Sequence, residues 1–333
     1  MNLDALPRCN LAQLPTPIEE MPRLTHELGG PRLLVKRDDQ TGLALGGNKA
    51  RKLEYLIADA LAKGADTVVT GGGAQSNHCR QTAAAAAKVG VACDLALGGE
   101  RPEVPNGNVL LDLLCGANLH WIPRERRKEK MDEIARTLRS AGRTPYLIPV
   151  GGSNGLGAMG YAQAMVELQT QLSESGRQVD HVVFATSSGG TQAGMTLGAR
   201  LSGFRGVILG ISIDRKTSED RSYLTELAAI ANEGARILGV GEEFAEDGFV
   251  VNDDYLGGGY GVIGDLERRA IGLAAQTEGL ILDPVYTGRA MGGLIDLIER
   301  GFFSRTDTVL FWHTGGTPAL FAYTEELALV RNP

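Results

Sequence analysis

Gly46-Gly47-Asn48-Lys49-Ala50-Arg51-Lys52 marks the point where the chain leaves a glycine run and enters an amphipathic helix. Leu53, Leu56, Ile57, Ala60 and Leu61 recur at helical spacing, and Gly64 is placed to end the segment. At ~100° per residue, Lys49 falls near the middle of that apolar stripe. Lys52 falls to its flank and Arg51 opposite. The pattern therefore aims one lysine, not three cations, at the interior.

A lysine aimed inward at the first turn of a helix loses basicity. Desolvation disfavours its ammonium form, and the positive end of the helix dipole adds to that. A neutral amine is what carbonyl chemistry needs, Schiff-base formation with an aldehyde included. The competing reading is a lysine that snorkels to water.

Outward from this segment, short apolar runs alternate with helical stretches. Strands are expected at Leu33 to Lys36, Thr67 to Thr70, Val91 to Leu97, Asn118 to Ile122 and Pro145 to Val150. A second series covers His181 to Ala185, Val207 to Ile213, Leu280 to Leu282 and Thr308 to Trp312. The charge-dense stretch Arg124 to Arg139 reads as a solvated helix with Met131, Ile134 and Leu138 on its apolar stripe. The alternation predicts an α/β fold of two open, mainly parallel twisted sheets with flanking helices. A boundary is expected near Gly151 to Gly160.

Composition narrows the function. Formal net charge is −7, and no basic cluster carries interleaved aromatics, which argues against nucleic acid as a partner. Cys9, Cys79, Cys93 and Cys115 form no C-x-x-C pair, so neither a disulfide framework nor a metal site is expected. The first residues have no basic stretch followed by an apolar core, and no apolar run approaches ~18 residues. The expectation is a cytoplasmic protein without a membrane span. Glycine, at 45 residues, is about twice as frequent as usual. Much of it falls where strands hand over to helices.

Three such turns are candidate ligand sites. Gly71 to His78 carries the densest polar cluster, with Gln75, Ser76, Asn77 and His78 followed by Arg80 and Gln81. A hydroxyl, an amide and an imidazole at one helix mouth suit a small zwitterion; a plain Ser76 cap on a surface helix is the alternative. Gly155, Gly157 and Gly160 make a formal G-x-G-x-x-G, which admits a nicotinamide or flavin enzyme. The acidic residue that should end the next strand is not evident, since Glu174 lies in a polar stretch. Ser187-Ser188-Gly189-Gly190-Thr191 is a better phosphate cradle, because small residues expose backbone N–H groups and hydroxyls add donors. Ser188 or Thr191 as a simple helix cap stays open. Asp283 to Gly288 and His313 to Pro318 look like loops entering a site.

Together these segments resemble fold type II pyridoxal-phosphate enzymes, the tryptophan synthase β-like group. More narrowly they resemble the D-cysteine desulfhydrase and 1-aminocyclopropane-1-carboxylate deaminase family. The likeness begins at Leu14-Pro15-Thr16-Pro17 and Val35-Lys36-Arg37-Asp38-Asp39. It runs through GGNKARKLEYL, GGGAQSNHCRQTAAAAAKVG, TSSGGTQAGM, GGGYGV, LDPVYTGRAM and HTGGTPALFAY, in that order.

The resemblance implies pyridoxal 5'-phosphate as cofactor, attached to Lys49. It implies Asn77 on the cofactor's phenolic oxygen, Ser187, Ser188, Gly189, Gly190 and Thr191 around its phosphate, and Thr314 at its ring nitrogen. Ser76 and His78 would meet the substrate carboxylate. Tyr260, Tyr286 and Thr287 would lie on the substrate side, with Lys49, Ser76 and Tyr286 as the catalytic groups. A smaller α/β domain over residues 51–159 would face a larger cofactor-binding domain of residues 1–50 and 160–333, with the site between them, in a homodimer. The implied reaction is β-elimination of a sulfur group from a small amino acid, D-cysteine first and L-cysteate second. The deaminase branch carries glutamate where this chain has Thr287, which argues against ring-opening deamination. A nicotinamide enzyme and a non-catalytic vitamin-B6 binding protein are the readings from other classes.

Overall fold

The structure, a computed structural model, describes residues 3–217 and 221–327. Its strands are β1 (Ile18–Glu20), β2 (Arg32–Lys36), β3 (Thr67–Gly73), β4 (Ala92–Gly98), β5 (Asn118–Ile122), β6 (Pro145–Leu147), β7 (His181–Thr186), β8 (Val207–Ser212), β9 (Val250–Asn252) and β10 (Thr308–Trp312). The longer helices are α1 (Pro22–Leu28), α2 (Lys49–Ala62), α3 (Asn77–Val89), α4 (Gly107–Leu114), α5 (Arg127–Ser140), α6 (Gly155–Ser175), α7 (Gly190–Ser202), α8 (Ser222–Leu238), α9 (Asp265–Glu278) and α10 (Thr287–Glu299).

They form two sheets, as the alternation of strands and helices requires. One has the order β1-β2-β10-β7-β8-β9 and is parallel except for the β1–β2 pair. The other, β5-β4-β3-β6, is parallel throughout. Buried Val and Leu of β3 and β4 pack against Leu53, Leu56, Ile57 and Ala83 from α2 and α3. Met131 and Ile134 of α5 cover the opposite face through Val69 and Ala96, as their spacing predicts. The larger sheet is covered on one face by α1, α9 and α10 and on the other by α6 and α7.

Three expectations need correction. Leu280 and Leu282 are buried but Ile281 between them is exposed, and the segment is not a strand. The Ile281 carbonyl accepts from the His313 side chain at 3.0 Å, and the ladder position at the far edge goes to β9 instead. Strands β1 and β9 escape a reading by periodicity because each has only three residues.

The second correction concerns α2, which is buried almost all round. Arg51 and Lys52 are each only 1% exposed, so three cations enter the interior, not one. Arg51 is compensated by Asp38 at 2.8 Å and Glu167 at 2.9 Å, with Lys36 on Glu167 at 2.6 Å. Burial alone pushes the Asp38 carboxyl up, but the Arg51 charge outweighs it and holds Asp38 at about 2.

The third concerns the G-x-G-x-x-G match. A Cβ on Gly157 would lie 2.1 Å from the Gly152 carbonyl oxygen, and one on Gly160 would lie 2.4 Å from that of Arg51. These glycines let α6 press onto α2, and the sequence match arises from helix packing rather than from a dinucleotide turn.

Candidate active site

The carboxyl ends of β3, β7 and β10 converge on a cavity of about 510 Å³. Lys49, Ser76, Asn77, Ser188, Tyr286 and Thr314 all line it. Of the remaining site residues expected from sequence, His78, Ser187, Gly189, Thr191 and Tyr260 line it as well, whereas Gly190 and Thr287 do not.

Lys49 opens α2, and the loop before it is held on several sides. Ala44 and Leu45 adopt left-handed backbone at φ 43° and 69°. The Arg80 guanidinium donates to the carbonyls of Ala44 and Gly46, and Gln81 donates to Gly46 at 2.7 Å. The Asn48 amide side chain donates to Thr191 Oγ1 at 3.2 Å, linking the helix start to the Ser187–Thr191 turn. Lys49 is half-buried, its amine has no hydrogen bond or ion pair among the described residues, and desolvation lowers its pKa to about 8. It therefore lines the cavity instead of snorkelling to the surface.

The Ser187–Thr191 turn joins β7 to α7, with Gly189 at φ 84°. Ser153 Oγ and Ser188 Oγ are 2.9 Å apart, and the Gly190 N–H donates to Ser153 Oγ at 3.1 Å. A Cβ on Gly190 would stand 2.9 Å from Lys52 Nζ. Lys52 donates to the Gly151 carbonyl at 3.1 Å, and no carboxylate pairs with it among the described residues. Burial, and then the neighbouring Lys49 charge, push its pKa well below the usual lysine range. A buried amine that an anion would return to its charged form, a helix N-terminus and two serine hydroxyls together fit a phosphate.

The turn after β3 caps α3. Ser76 Oγ accepts from the Cys79 N–H at 3.2 Å, and the first N–H groups of α3 have no partner within the helix. Asn77 Oδ1 accepts from Asn108 Nδ2 at 2.9 Å. Thr70 Oγ1 lies 2.8 Å from the Ile148 carbonyl and 2.9 Å from His78 Nε2. A carbonyl only accepts, so the Thr70 hydrogen goes there and His78 donates Nε2–H to Thr70. Its Nδ1 then carries a lone pair, buried and without a partner among the described residues. Burial, followed by the Lys49 and Lys52 charges, keeps this imidazole neutral. In this tautomer the His78 side chain has no hydrogen left for a carboxylate.

Tyr260 and Tyr286 share a hydrogen bond of 2.8 Å with their rings edge to face. Burial raises the Tyr260 pKa to about 12 and pushes that of Tyr286 well above the usual phenol range, so both are neutral phenols. The Arg124 guanidinium lies 4.1 Å over the Tyr260 ring at the cavity wall. Thr287 faces away: its hydroxyl donates to Asp283 Oδ1 at 2.7 Å and accepts from the Asp283 N–H at 2.8 Å. It braces the turn that carries Tyr286.

Sequence reasoning missed Lys52, Ser153, Asn108 and Arg124. Lys52 had a usable signal, since it lies three residues after Lys49 on the same helix. Ser153 lies in the glycine-rich turn Gly151 to Gly160, whose backbone and small residues are themselves a signal for an anion site, whereas Asn108 and Arg124 come from separate segments and carry no local signature.

These residues are framed by the comparisons with known proteins. A family model described as pyridoxal-phosphate dependent enzyme matches residues 10–315. The chain is 43% identical to the D-cysteine desulfhydrase of Klebsiella pneumoniae (strain 342), covering 98% of this chain and 99% of that protein. A crystal structure of an ACC deaminase homologue superposes with a TM-score of 0.90 at 38% identity, covering 99% and 98% of the two chains. Threonine deaminase isoform 2 from Solanum lycopersicum shares the fold, with a TM-score of 0.66 at 14% identity over 96% of this chain and 83% of that one. The chain belongs to the family of pyridoxal-phosphate dependent enzymes.

Proposed function

We propose that the protein is a carbon–sulfur lyase that acts on D-cysteine, releasing sulfide, pyruvate and ammonia. The observation that carries this reading is the 43% identity to D-cysteine desulfhydrase over nearly the whole chain. The cavity supports it, because Lys49, Asn77 and Ser188 line one space.

When bound, pyridoxal phosphate withdraws electrons from the substrate Cα and so acidifies its proton. Lys52, Ser153, Ser187, Ser188, Thr191 and the N-terminus of α7, which Gly189 and Gly190 open, would hold the phosphate. Asn77 donates to the phenolic oxygen, and the neutral hydroxyl of Thr314 meets the ring nitrogen. The backbone N–H groups that open α3, with the Ser76 hydroxyl, take the substrate carboxylate. His78, whose Nε2–H is committed to Thr70, does not donate to that carboxylate.

Lys49 carries the Cα proton. An amine with a pKa of about 8 exchanges protons readily near neutrality. Ser76 is the weaker candidate: its Oγ is engaged as the cap of α3. In the Tyr260–Tyr286 pair one hydroxyl donates to the other, which leaves one hydrogen free to meet the departing sulfur. Loss of the Cα proton and the β-sulfur leaves an enamine, which water converts to pyruvate and ammonia.

The chain divides into residues 51–159 and residues 1–50 with 160–333, a division supported by the confinement of β3 to β6 to the first part. We place the enzyme in the cytoplasm as a homodimer. Among the described residues no helix is long and apolar enough to cross a membrane.

Keto-acid release from D-cysteine, L-cysteine, L-cysteate and 1-aminocyclopropane-1-carboxylate tests the reading. Pyruvate with sulfide from D-cysteine is the expected result. Sulfite from L-cysteate as the faster reaction would shift the assignment within the family, and rapid 2-oxobutanoate would overturn it.

A further inference from the structure

We propose that Asn108 is a positioning residue that fixes which end of the Asn77 amide faces the cofactor. The inference rests on the assignment of Asn77 to the cofactor's phenolic oxygen made above.

Asn108 is the second residue of α4 and is fully buried. Its Nδ2 lies 2.9 Å from the Gln75 carbonyl oxygen and 2.9 Å from Asn77 Oδ1. A peptide carbonyl can only accept, so the atom facing Gln75 must be nitrogen. Its two hydrogens are then committed, one to Gln75 and one to Asn77. Asn77 must turn its oxygen toward Asn108 and its NH2 away from it. That NH2 lies against Gly316, where a Cβ would stand 2.8 Å from Asn77 Nδ2. A primary amide without such a partner can adopt two orientations of similar shape, and only one of them donates to an oxygen in the cavity.

Two further features fit a placed residue rather than a filler. Asn108 Oδ1 is buried and has no partner among the described residues, a cost that packing alone does not explain. Gly107 holds φ 51°, and a Cβ there would lie 2.5 Å from Gln75 Oε1 and 2.9 Å from the Pro318 carbonyl oxygen. The Asn108 N–H donates to the same Gln75 Oε1 at 2.7 Å. The backbone therefore seats residue 108 tightly against the turn that carries Asn77.

A double-mutant cycle on the holoenzyme tests this, with Asn77→Ala, Asn108→Leu and the pair. The readouts are kcat and KM for D-cysteine and the visible absorption of the bound cofactor titrated against pH. Asn108→Leu is expected to lower kcat roughly tenfold, the worth of one hydrogen bond, with KM within about twofold. It shifts the absorption titration in the same direction as Asn77→Ala, and the double variant matches Asn77→Ala alone. Additive losses overturn the proposal and leave the role of Asn77 standing. A silent Asn77→Ala removes that role and the proposal with it. If Asn108→Leu does not fold, Asn108→Ala runs the same cycle.

Discussion

The Asn48 N–H donates to the Thr314 carbonyl across 2.9 Å, so the residue before Lys49 is fastened to the residue expected at the far side of the cofactor ring. The two segments interlock further at Gly315, which holds φ 84° and where a Cβ would lie 2.6 Å from the Gly47 Cα. Gly315→Ala should cost about 1–3 kcal/mol in strain and displaced backbone. A fall in thermal midpoint together with weaker cofactor retention on dialysis checks it. A fully stable variant that keeps its cofactor would mean that the two loops are not coupled.

Lys52 is predicted to act with opposite signs on the two forms of the protein. In the stripped protein burial and the Lys49 charge drive its amine toward the neutral form, and no carboxylate pairs with it among the described residues, so Lys52→Met should raise the unfolding midpoint. In the loaded enzyme the same change should weaken cofactor binding at least tenfold, about 1.4 kcal/mol for one charge-assisted contact. Calorimetry of the stripped protein and equilibrium dialysis of the loaded one separate the two effects.

The Lys49 amine sets a pH window. Its pKa is lowered from 10.5 to about 8, so between those values the unfolded chain binds more protons than the folded one. The resulting penalty is fully present below about 8 and disappears as pH rises toward 10.5. Stripped Lys49→Met should therefore be more stable than the parent at pH 7, with the gap closing at high pH. Cofactor uptake by the stripped parent should quicken as pH rises through about 8 and then level off. Midpoints measured as a function of pH, and the rate at which visible absorption appears on adding cofactor, report the two effects.

Thr287→Val removes both side-chain hydrogen bonds to Asp283, a buried carboxyl whose pKa burial already raises. A loss of about 1–3 kcal/mol in stability is expected, with KM for D-cysteine changed little because the side chain lies outside the cavity. A large rise in KM without loss of stability would return Thr287 to the substrate side.

Much of this arrangement is readable from short-range pattern. The strands that end in Gly73 and Thr186 announce themselves by β-branched runs, and the turns after them by glycine and hydroxyl residues. Lys49 follows from helical periodicity. The same periodicity fails for Arg51 and Lys52 because it assumes one wet face, and α2 lies between α3 and α6 with almost none. Asn108 meets Asn77 from 31 residues away, a pairing that the topology creates and no local pattern contains. Thr287 is different: Asp283 accepts from the N–H groups of Val285, Tyr286 and Thr287, a capping turn readable from the Asp-Pro start of that loop.

Two lysines stand one helical turn apart, Lys49 half-buried on the cavity wall and Lys52 fully buried behind the Gly190 turn, and their proposed tasks differ: Lys49 bonds the cofactor and Lys52 holds its phosphate. Borohydride reduction of the coloured enzyme, followed by peptide mass mapping, separates them directly. The predicted result is cofactor mass on the peptide at Lys49 and none at Lys52. Label on Lys52, or on neither residue, would contradict the account.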